Sequence, residues 1–155
     1  MIQINSIGLP QYKAKLFAEE LNKQLAHYSD YYQDTKGSHW NMNVDKSFAG
    51  HVKFEELYNV LVLKSDEIAE WILTLGFTPE HNDSQDANLS SRKEIKKVAD
   101  GIQAVAHIPK AYKMMILKQE LILSLVNDAK DKGTTFIMSD YISFQEKEVG
   151  IYTSF

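Results

Sequence analysis

Residues 51–75, HVKFEELYNVLVLKSDEIAEWILTL, decide how the rest of this sequence is interpreted. Apolar residues recur at helical spacing from Phe54 to Leu75, which predicts an amphipathic helix that Gly76 would end. At ~100° per residue, four potential metal ligands fall within an arc of about 100° on one face of this helix. They are His51, Glu55, Asp66 and Glu70.

These ligands are too far apart along the helix for one ion. At ~1.5 Å per residue, Asp66 lies roughly 22 Å and Glu70 roughly 28 Å from His51. A second copy of the helix, laid antiparallel across a two-fold axis, would bring the His51 end of one chain to the Asp66/Glu70 end of the other. The spacing therefore predicts a dimer with two equivalent sites.

Composition indicates an ordinary soluble domain. The chain has 155 residues, 44% of them hydrophobic and 25% charged, which suits a single domain over 1–155. No apolar run approaches the ~20 residues that cross a bilayer, so no membrane association is expected. The first ten residues, MIQINSIGLP, contain no basic side chain and no signal-peptide core, which favours a cytoplasmic location.

The charge and cysteine counts restrict the chemistry. Without cysteine, disulfides, thiol nucleophiles and thiolate metal sites are excluded, and any metal must be held by nitrogen and oxygen. A net charge of -4 with mixed signs argues against bulk electrostatic binding of nucleic acid. The one concentrated basic stretch, RKEIKK at 92–97, could touch phosphates or could be a solvated helix face.

The remaining sequence predicts an all-α bundle of four long helices with one long crossover. The loop composition of 77–90 marks the crossover, and Ser91 followed by Glu94 matches a capping box for a short helix that Gly101 would end. A third long helix runs from about Pro109 to Lys132 with Gly133 after it, although an earlier, kinked start stays open. The first helix spans Pro10 to about His39, the second ends near Leu75, and the fourth covers roughly Thr135 to Glu148.

Each candidate ligand also has a structural interpretation. His39 could cap the first helix, and Asp66 and Glu70 could lie on a solvated face, where carboxylates four residues apart repel slightly. If their face is partly buried, two unpaired carboxylates would be costly, and a divalent cation would cancel their charge. Imidazole and carboxylate ligands without sulfur suit iron, manganese or zinc.

Aromatic residues accompany these ligands. Trp40 beside His39, with tyrosines at 28, 31, 32 and 58, could carry oxidising equivalents away from an iron centre. Core packing by amphipathic aromatic side chains is the favoured interpretation. The Glu-x-x-His pairs of di-iron helix bundles are absent: three residues before His39, His51 and His107 stand Lys36, Phe48 and Ala104. A metal centre inside a single bundle is therefore not expected.

Three segments carry a family resemblance. TKGSHWN at 35–41, HVKFEELY at 51–58 and DEIAE at 66–70, with Leu75-Gly76, closely resemble the Dps family of mini-ferritins. The five candidate ligands keep the family spacing: His39, His51, Glu55, Asp66 and Glu70. The match is strongest over 21–79.

The resemblance implies a ferritin-like four-helix subunit with a short extra helix in the crossover, twelve of which form a hollow cytoplasmic shell. It implies oxidation of Fe(II) at dimer interfaces, preferentially by hydrogen peroxide, at a mono-iron or di-iron site, and storage of the ferric mineral inside. By position, His39 and His51 would come from one subunit and Asp66 and Glu70 from its mate. Glu55 stands where the family has an acidic second-site ligand.

This sequence departs from the family pattern at two features, the DNA-binding tail and the iron-entry aspartate, and neither feature is transferred to this chain. Many members bind DNA through a basic tail, whereas the first basic residue here is Lys13 and the side chains of 150–155 are uncharged. Where the family often has an iron-entry aspartate, the alignment gives Phe136, with Asp128, Asp131 and Asp140 nearby. Two alternatives to an iron-oxidising shell follow: a nucleoid-compacting oligomer that uses 92–97, and an oligomer whose site is inactive.

Overall fold

The computed structural model describes residues 1–41, 48–80 and 101–154. Within these ranges the chain forms four long helices and no strand, apart from an isolated bridge between Ile4 and Pro10. The predicted all-α fold is confirmed. The helices are α1 (Gln11–Asn41), α2 (Phe48–Thr74), α3 (Gly101–Asp128) and α4 (Lys132–Thr153).

Two helix pairs form the bundle. α1 packs mainly on α2, and α3 packs mainly on α4, while further contacts join α1 and α2 to α3. Among the buried polar groups is a cluster formed by one side chain from each of α1, α3 and α4. Tyr28 donates a hydrogen bond to Gln145, and Gln119 donates to the Tyr28 hydroxyl at 3.0 Å, so these buried polar groups are paired.

The end of α2 follows the prediction. Gly76 has φ +94°, the Gly76 amide donates to the Leu73 carbonyl at 2.9 Å, and the Phe77 amide donates to Ile72 at 3.1 Å. This is the Schellman arrangement, in which a left-handed residue satisfies the last carbonyls of a helix. Glycine occupies that position without the steric penalty of a Cβ.

The predicted stop of the third long helix at Gly133 is wrong. α3 ends at Asp128, and Lys130 takes the left-handed conformation with φ 59°. The Asp131 side chain then accepts from the Thr134 amide and caps α4, so Gly133 lies in the first turn of α4. The sequence pointed to the glycine, but the left-handed position is occupied by a lysine.

The start of α3 is also settled. α3 begins at Gly101 and contains Pro109, so the earlier start left open by the sequence is correct, and Gly101 lies in a long helix rather than ending a short one. The short helix predicted after Ser91 and the basic stretch 92–97 lie outside the described residues. α4 extends beyond the predicted 135–148 at both ends.

The N-terminal ten residues fold back on the bundle. Asn5 accepts hydrogen bonds from the amides of Ile7 and Leu9 and donates from its side chain to the Leu75 carbonyl at the end of α2. This segment is therefore anchored to the end of α2. None of the helices in the described part of the chain is long and apolar enough to cross a membrane.

Candidate metal centre

The end of α1 and the first turn of α2 bring two histidines together. The imidazole rings of His39 and His51 stack with centroids 3.8 Å apart and planes 28° apart. His39 Nδ1 lies 3.0 Å from the His51 carbonyl oxygen. Because a carbonyl oxygen only accepts hydrogen bonds, Nδ1 must carry the proton, which leaves the Nε2 lone pair of His39 for a metal.

His51 provides a second available nitrogen. Its Nδ1 atom is buried and has no hydrogen-bond partner within the described ranges. An imidazole nitrogen without a hydrogen-bond partner can offer its lone pair to a metal ion. An unpaired imidazole nitrogen next to a second imidazole suits a divalent transition metal such as iron.

The three carboxylates predicted as ligands differ from the other acidic residues of α2. Glu56 pairs with Lys53 at 3.2 Å, and Glu67 accepts a hydrogen bond from Tyr141 at 2.6 Å. No ion pair or side-chain hydrogen bond of the described residues involves the carboxylates of Glu55, Asp66 or Glu70. The candidate ligands are thus the acidic residues of α2 that the fold leaves unpaired.

One subunit does not assemble the whole set. α2 is a single helix over Phe48–Thr74, as the spacing argument required, so Asp66 lies roughly 22 Å along the axis from His51. In the part of the chain that the structure describes, no three histidine or acidic side chains come close enough to share a metal ion. The structure brings together His39 and His51 and leaves Asp66 and Glu70 apart from them.

The expected partial burial of the Asp66/Glu70 face is wrong for the single chain. Asp66, Glu70 and Glu55 are exposed, so burial imposes no charge penalty within one subunit. The turns between them place Ile68 and Ile72 in the core, but the ligand side chains point away from it. Among the described residues of one chain nothing buries this face, and a second chain could cover it.

The aromatic residues divide into two groups. Tyr28 and Tyr31 are fully buried, which confirms core packing for them. Core packing is wrong for Trp40, which is 70% exposed, with Lys36 Nζ 4.9 Å from its ring centroid. The Tyr58 ring packs edge-on against the His39 imidazole, with ring centroids 5.3 Å apart, and so restricts the orientation of the imidazole.

Comparison with known proteins gives the same architecture. The ferritin-like domain family matches residues 18–152. DNA protection during starvation protein 2 of Bacillus anthracis is 30% identical over 143 residues, covering 91% of this chain and 97% of that protein. The crystal structure of a Dps protein from Vibrio cholerae superposes with a TM-score of 0.95 at 37% identity, covering 99% of this chain and 97% of that one.

The chain belongs to the Dps family. The Vibrio cholerae Dps protein is described as a member of a broad superfamily of ferritin-like diiron-carboxylate proteins. An uncharacterised protein of Haemophilus influenzae is 41% identical over 147 residues, covering 95% of this chain and 92% of that protein. The all-α, ferritin-like assignment made from the sequence is thereby confirmed.

The residues considered for an iron-entry pathway in this Dps chain differ in exposure and in the contacts they already make. Phe136 is 71% exposed near the start of α4, whereas Asp131 is buried and occupied as the α4 cap. Asp128 and Asp140 are exposed, and Asp140 Oδ2 lies 3.9 Å from Lys64 Nζ. Asp131 is therefore removed from the possible substitutes for the family aspartate.

Sequence reasoning missed two contacts at or next to the candidate ligands of this Dps chain. The His39–His51 carbonyl bond and the Tyr141–Glu67 bond both join residues on different helices. Helical periodicity assigns Glu67 and Tyr141 to faces of their own helices, but it gives no information about which side chain lies opposite. No pattern in the sequence pointed to either contact.

Proposed function

We infer that this chain is a ferroxidase and iron-storage mini-ferritin that oxidises Fe(II) with hydrogen peroxide at sites shared between two subunits. Each site would combine His39 and His51 of one subunit with Asp66 and Glu70 of its mate, with Glu55 as an additional metal ligand. The observation that carries this proposal is the stacking of the His39 and His51 imidazoles at a point where no third histidine or acidic side chain of the described residues is close enough to share a metal ion. The ferric product would be stored inside a shell of twelve subunits, each a single domain over 1–155, in the cytoplasm.

The exposed face of α2 supports the two-fold arrangement. Val62 and Leu73 fall on the same ~100° arc as the ligands and are 38% and 60% exposed. Laying two α2 helices antiparallel, with His51 opposite Asp66 and Glu70, would bury Val62 near the middle of the contact and Leu73 beyond the ligand sets. A self-complementary patch of this kind is what a two-fold interface requires.

The ligand set suits iron as a substrate that arrives, reacts and leaves. Two Fe(II) ions each give one electron to hydrogen peroxide, its O–O bond breaks, and the two oxygens leave at the oxidation level of water. Carboxylates stabilise the Fe(III) product because they neutralise its charge, and imidazole nitrogens hold Fe(II) without adding charge. Consuming iron and peroxide together would limit the formation of hydroxyl radicals.

The first experiment measures ferric absorbance after anaerobic loading of Fe(II) and addition of hydrogen peroxide, with oligomer mass recorded in parallel. We expect rapid oxidation by the wild type and loss of the fast phase in Asp66→Ala/Glu70→Ala. Glu56→Ala is the matched control, because this exposed acidic residue of α2 pairs with Lys53 and lies outside the proposed site. An intact wild-type particle that oxidises no iron would contradict the catalytic proposal.

A mixing experiment asks whether the site is shared between subunits. Neither His51→Ala nor Asp66→Ala/Glu70→Ala should be active alone, but a mixed dimer keeps one intact site out of two. Random co-assembly should therefore restore about a quarter of the wild-type sites, since mixed pairs form half of all two-fold contacts. A mixture that stays inactive, although mass spectrometry shows mixed particles, would exclude the shared site.

A further inference from the structure

Trp40 is a large apolar side chain that is exposed at the end of α1. It is 70% exposed, and Lys36, one turn earlier on α1, places its Nζ 4.9 Å from the indole centroid. The Lys36 ammonium also donates a hydrogen bond to the Tyr32 hydroxyl at 3.1 Å, so it is itself held in place. This cation–π contact holds the indole on one side and leaves the rest of its apolar surface in water. Tryptophan is among the residues that most often anchor a protein–protein interface.

The direction of α1 places Trp40 beyond the paired histidines. His39 stacks on His51, and Tyr32 packs edge-on to Tyr58 with ring centroids 6.1 Å apart. Going back along α1 from His39 to Tyr32 thus corresponds to going forward along α2 from His51 to Tyr58, so the two helices run antiparallel. Trp40 follows His39, and it therefore lies past His51, on the side where α2 begins.

The opposite end of α2 carries a second exposed apolar surface. Leu73 is 60% exposed and lies on the ~100° arc of α2 that carries the candidate ligands. The Asn5 side chain donates to the Leu75 carbonyl, which brings the N-terminal segment to this end of the helix. Ile4 and Ile7, within two residues of Asn5, are 64% and 45% exposed. These three side chains, Leu73, Ile4 and Ile7, are the apolar corner of the subunit.

The spacing along α2 brings Trp40 and the apolar corner together in the proposed dimer. In that dimer His51 of one chain lies opposite Asp66 and Glu70 of its mate. The mate's Leu73 then extends roughly 4.5 Å past Glu70 and roughly 10.5 Å past Asp66. The facing α2 continues for only about one turn before His51. Leu73 therefore reaches the point where the facing α2 begins and where the end of α1, with Trp40, is the neighbouring element.

We propose that Trp40 packs on the apolar corner of a second copy of this chain, once on each side of the two-fold axis. The inference rests on the dimer of the proposed function. The partner is a second copy because the register that pairs the ligands also brings these two surfaces together. The contact buries apolar area that each single chain leaves in water, and it lies beside each shared site.

Crosslinking tests this contact directly, because the chain contains no cysteine. The intact oligomer of Trp40→Cys/Leu73→Cys is treated with the short crosslinker bismaleimidoethane, and its products are separated by mass under denaturing conditions. Within one chain Leu73 lies roughly 33 Å along α2 from His51, so the crosslinker has to join two chains. We expect covalent dimers and no larger products, because a two-fold contact closes on itself.

The matched control moves one cysteine to another helix. Leu121 on α3 is 69% exposed, so Trp40→Cys/Leu121→Cys carries two equally accessible thiols and should give little dimer. Absence of dimers in Trp40→Cys/Leu73→Cys, an equal yield in the control, or a ladder of trimers and larger products would overturn the proposed contact.

A second measurement keeps the indole in place. Trp40 and Trp71 are the two tryptophans of the chain, so the difference in fluorescence between wild type and Trp40→Phe isolates the Trp40 signal. We expect acrylamide to quench this signal several-fold less in the intact oligomer than it quenches free N-acetyltryptophanamide. Equal quenching would leave Trp40 in solvent and would overturn the contact, even if the cysteine variants fail to assemble.

The outcomes separate this inference from the proposed function. Specific covalent dimers and a shielded Trp40, without peroxide-driven iron oxidation by the wild type, would contradict the ferroxidase proposal and keep the contact. Fast iron oxidation at sites shared between subunits, with a fully quenched Trp40 and no specific dimers, would overturn the contact and keep the ferroxidase proposal.

Discussion

Single residues fix the orientation of the candidate ligands and the contact between α2 and α4. The His51 carbonyl orients His39 through a 3.0 Å contact, so the backbone of one ligand positions the side chain of the other. Trp71 donates a hydrogen bond from its indole to Thr134 Oγ1 at 2.8 Å. This bond holds the Trp71 ring against the first turn of α4, where Gly133 leaves room for it.

Replacing Gly133 with alanine should destabilise the protein. A Cβ at this position would stand 2.7 Å from Trp71 Cζ2, and the hydrogen bond to Thr134 keeps the ring from moving aside. We expect Gly133→Ala to cost about 1–3 kcal/mol, the usual penalty for overpacking. Thermal unfolding at one fixed protein concentration measures the change.

The matched control for this prediction lies on the same helix. A Cβ at Gly150 of α4 would meet nothing within 4 Å, so Gly150→Ala should raise stability by about 0.5–1 kcal/mol through helix propensity. Equal unfolding midpoints for the two variants would show that a Cβ at position 133 does not clash with the Trp71 ring.

At the scale of helices, α2 and α3 end in the same way with different residues. The Lys130 amide donates to Asn127 and the Asp131 amide to Val126, which repeats the hydrogen bonds around Gly76. The helix ends are therefore set by backbone geometry, and the residue that supplies the left-handed conformation differs. A glycine search in the sequence finds the end of α2 and misplaces the end of α3 for this reason.

Substitutions at the left-handed residues of these two helix ends should change the stability of the protein in opposite directions. A side chain in the left-handed conformation costs about 1–2 kcal/mol, so Gly76→Ala should lose that amount. Lys130→Gly should gain up to about 1 kcal/mol, because relief of the strain is partly offset by the extra freedom of glycine in the unfolded chain. A loss of stability in Lys130→Gly, measured by thermal unfolding, would mean that the lysine side chain contributes more than its conformation costs.

At the scale of the whole molecule, the described surface includes the outward face of α2, which carries the candidate ligands, and a folded N-terminal segment. Residues 1–10 contain no lysine or arginine and are anchored to the end of α2 by Asn5. The side chains of 150–155 are also uncharged. Neither of these two segments offers a basic side chain to a polyanion.

We expect the assembled particle to leave DNA unretarded in a gel-shift experiment at physiological salt, about 0.15 M. A control variant with a lysine-rich segment added at the N-terminus should retard DNA and lose this effect as salt rises. Retardation by the wild type that disappears when the basic residues of 92–97 are neutralised would favour the nucleoid-binding alternative.

The sequence by itself determined the all-α fold and the face of α2 that carries four candidate ligands, and it predicted that a metal site would need a second chain. These follow from the 3.6-residue period and the fixed rise of a helix, which hold wherever the helix lies. Only the tertiary structure decided that Trp40 is exposed, and that among the described residues Glu56 and Glu67 have partners while Glu55, Asp66 and Glu70 have none. Periodicity assigns a residue to a face, but the packing of one helix against another determines which side chain it meets there.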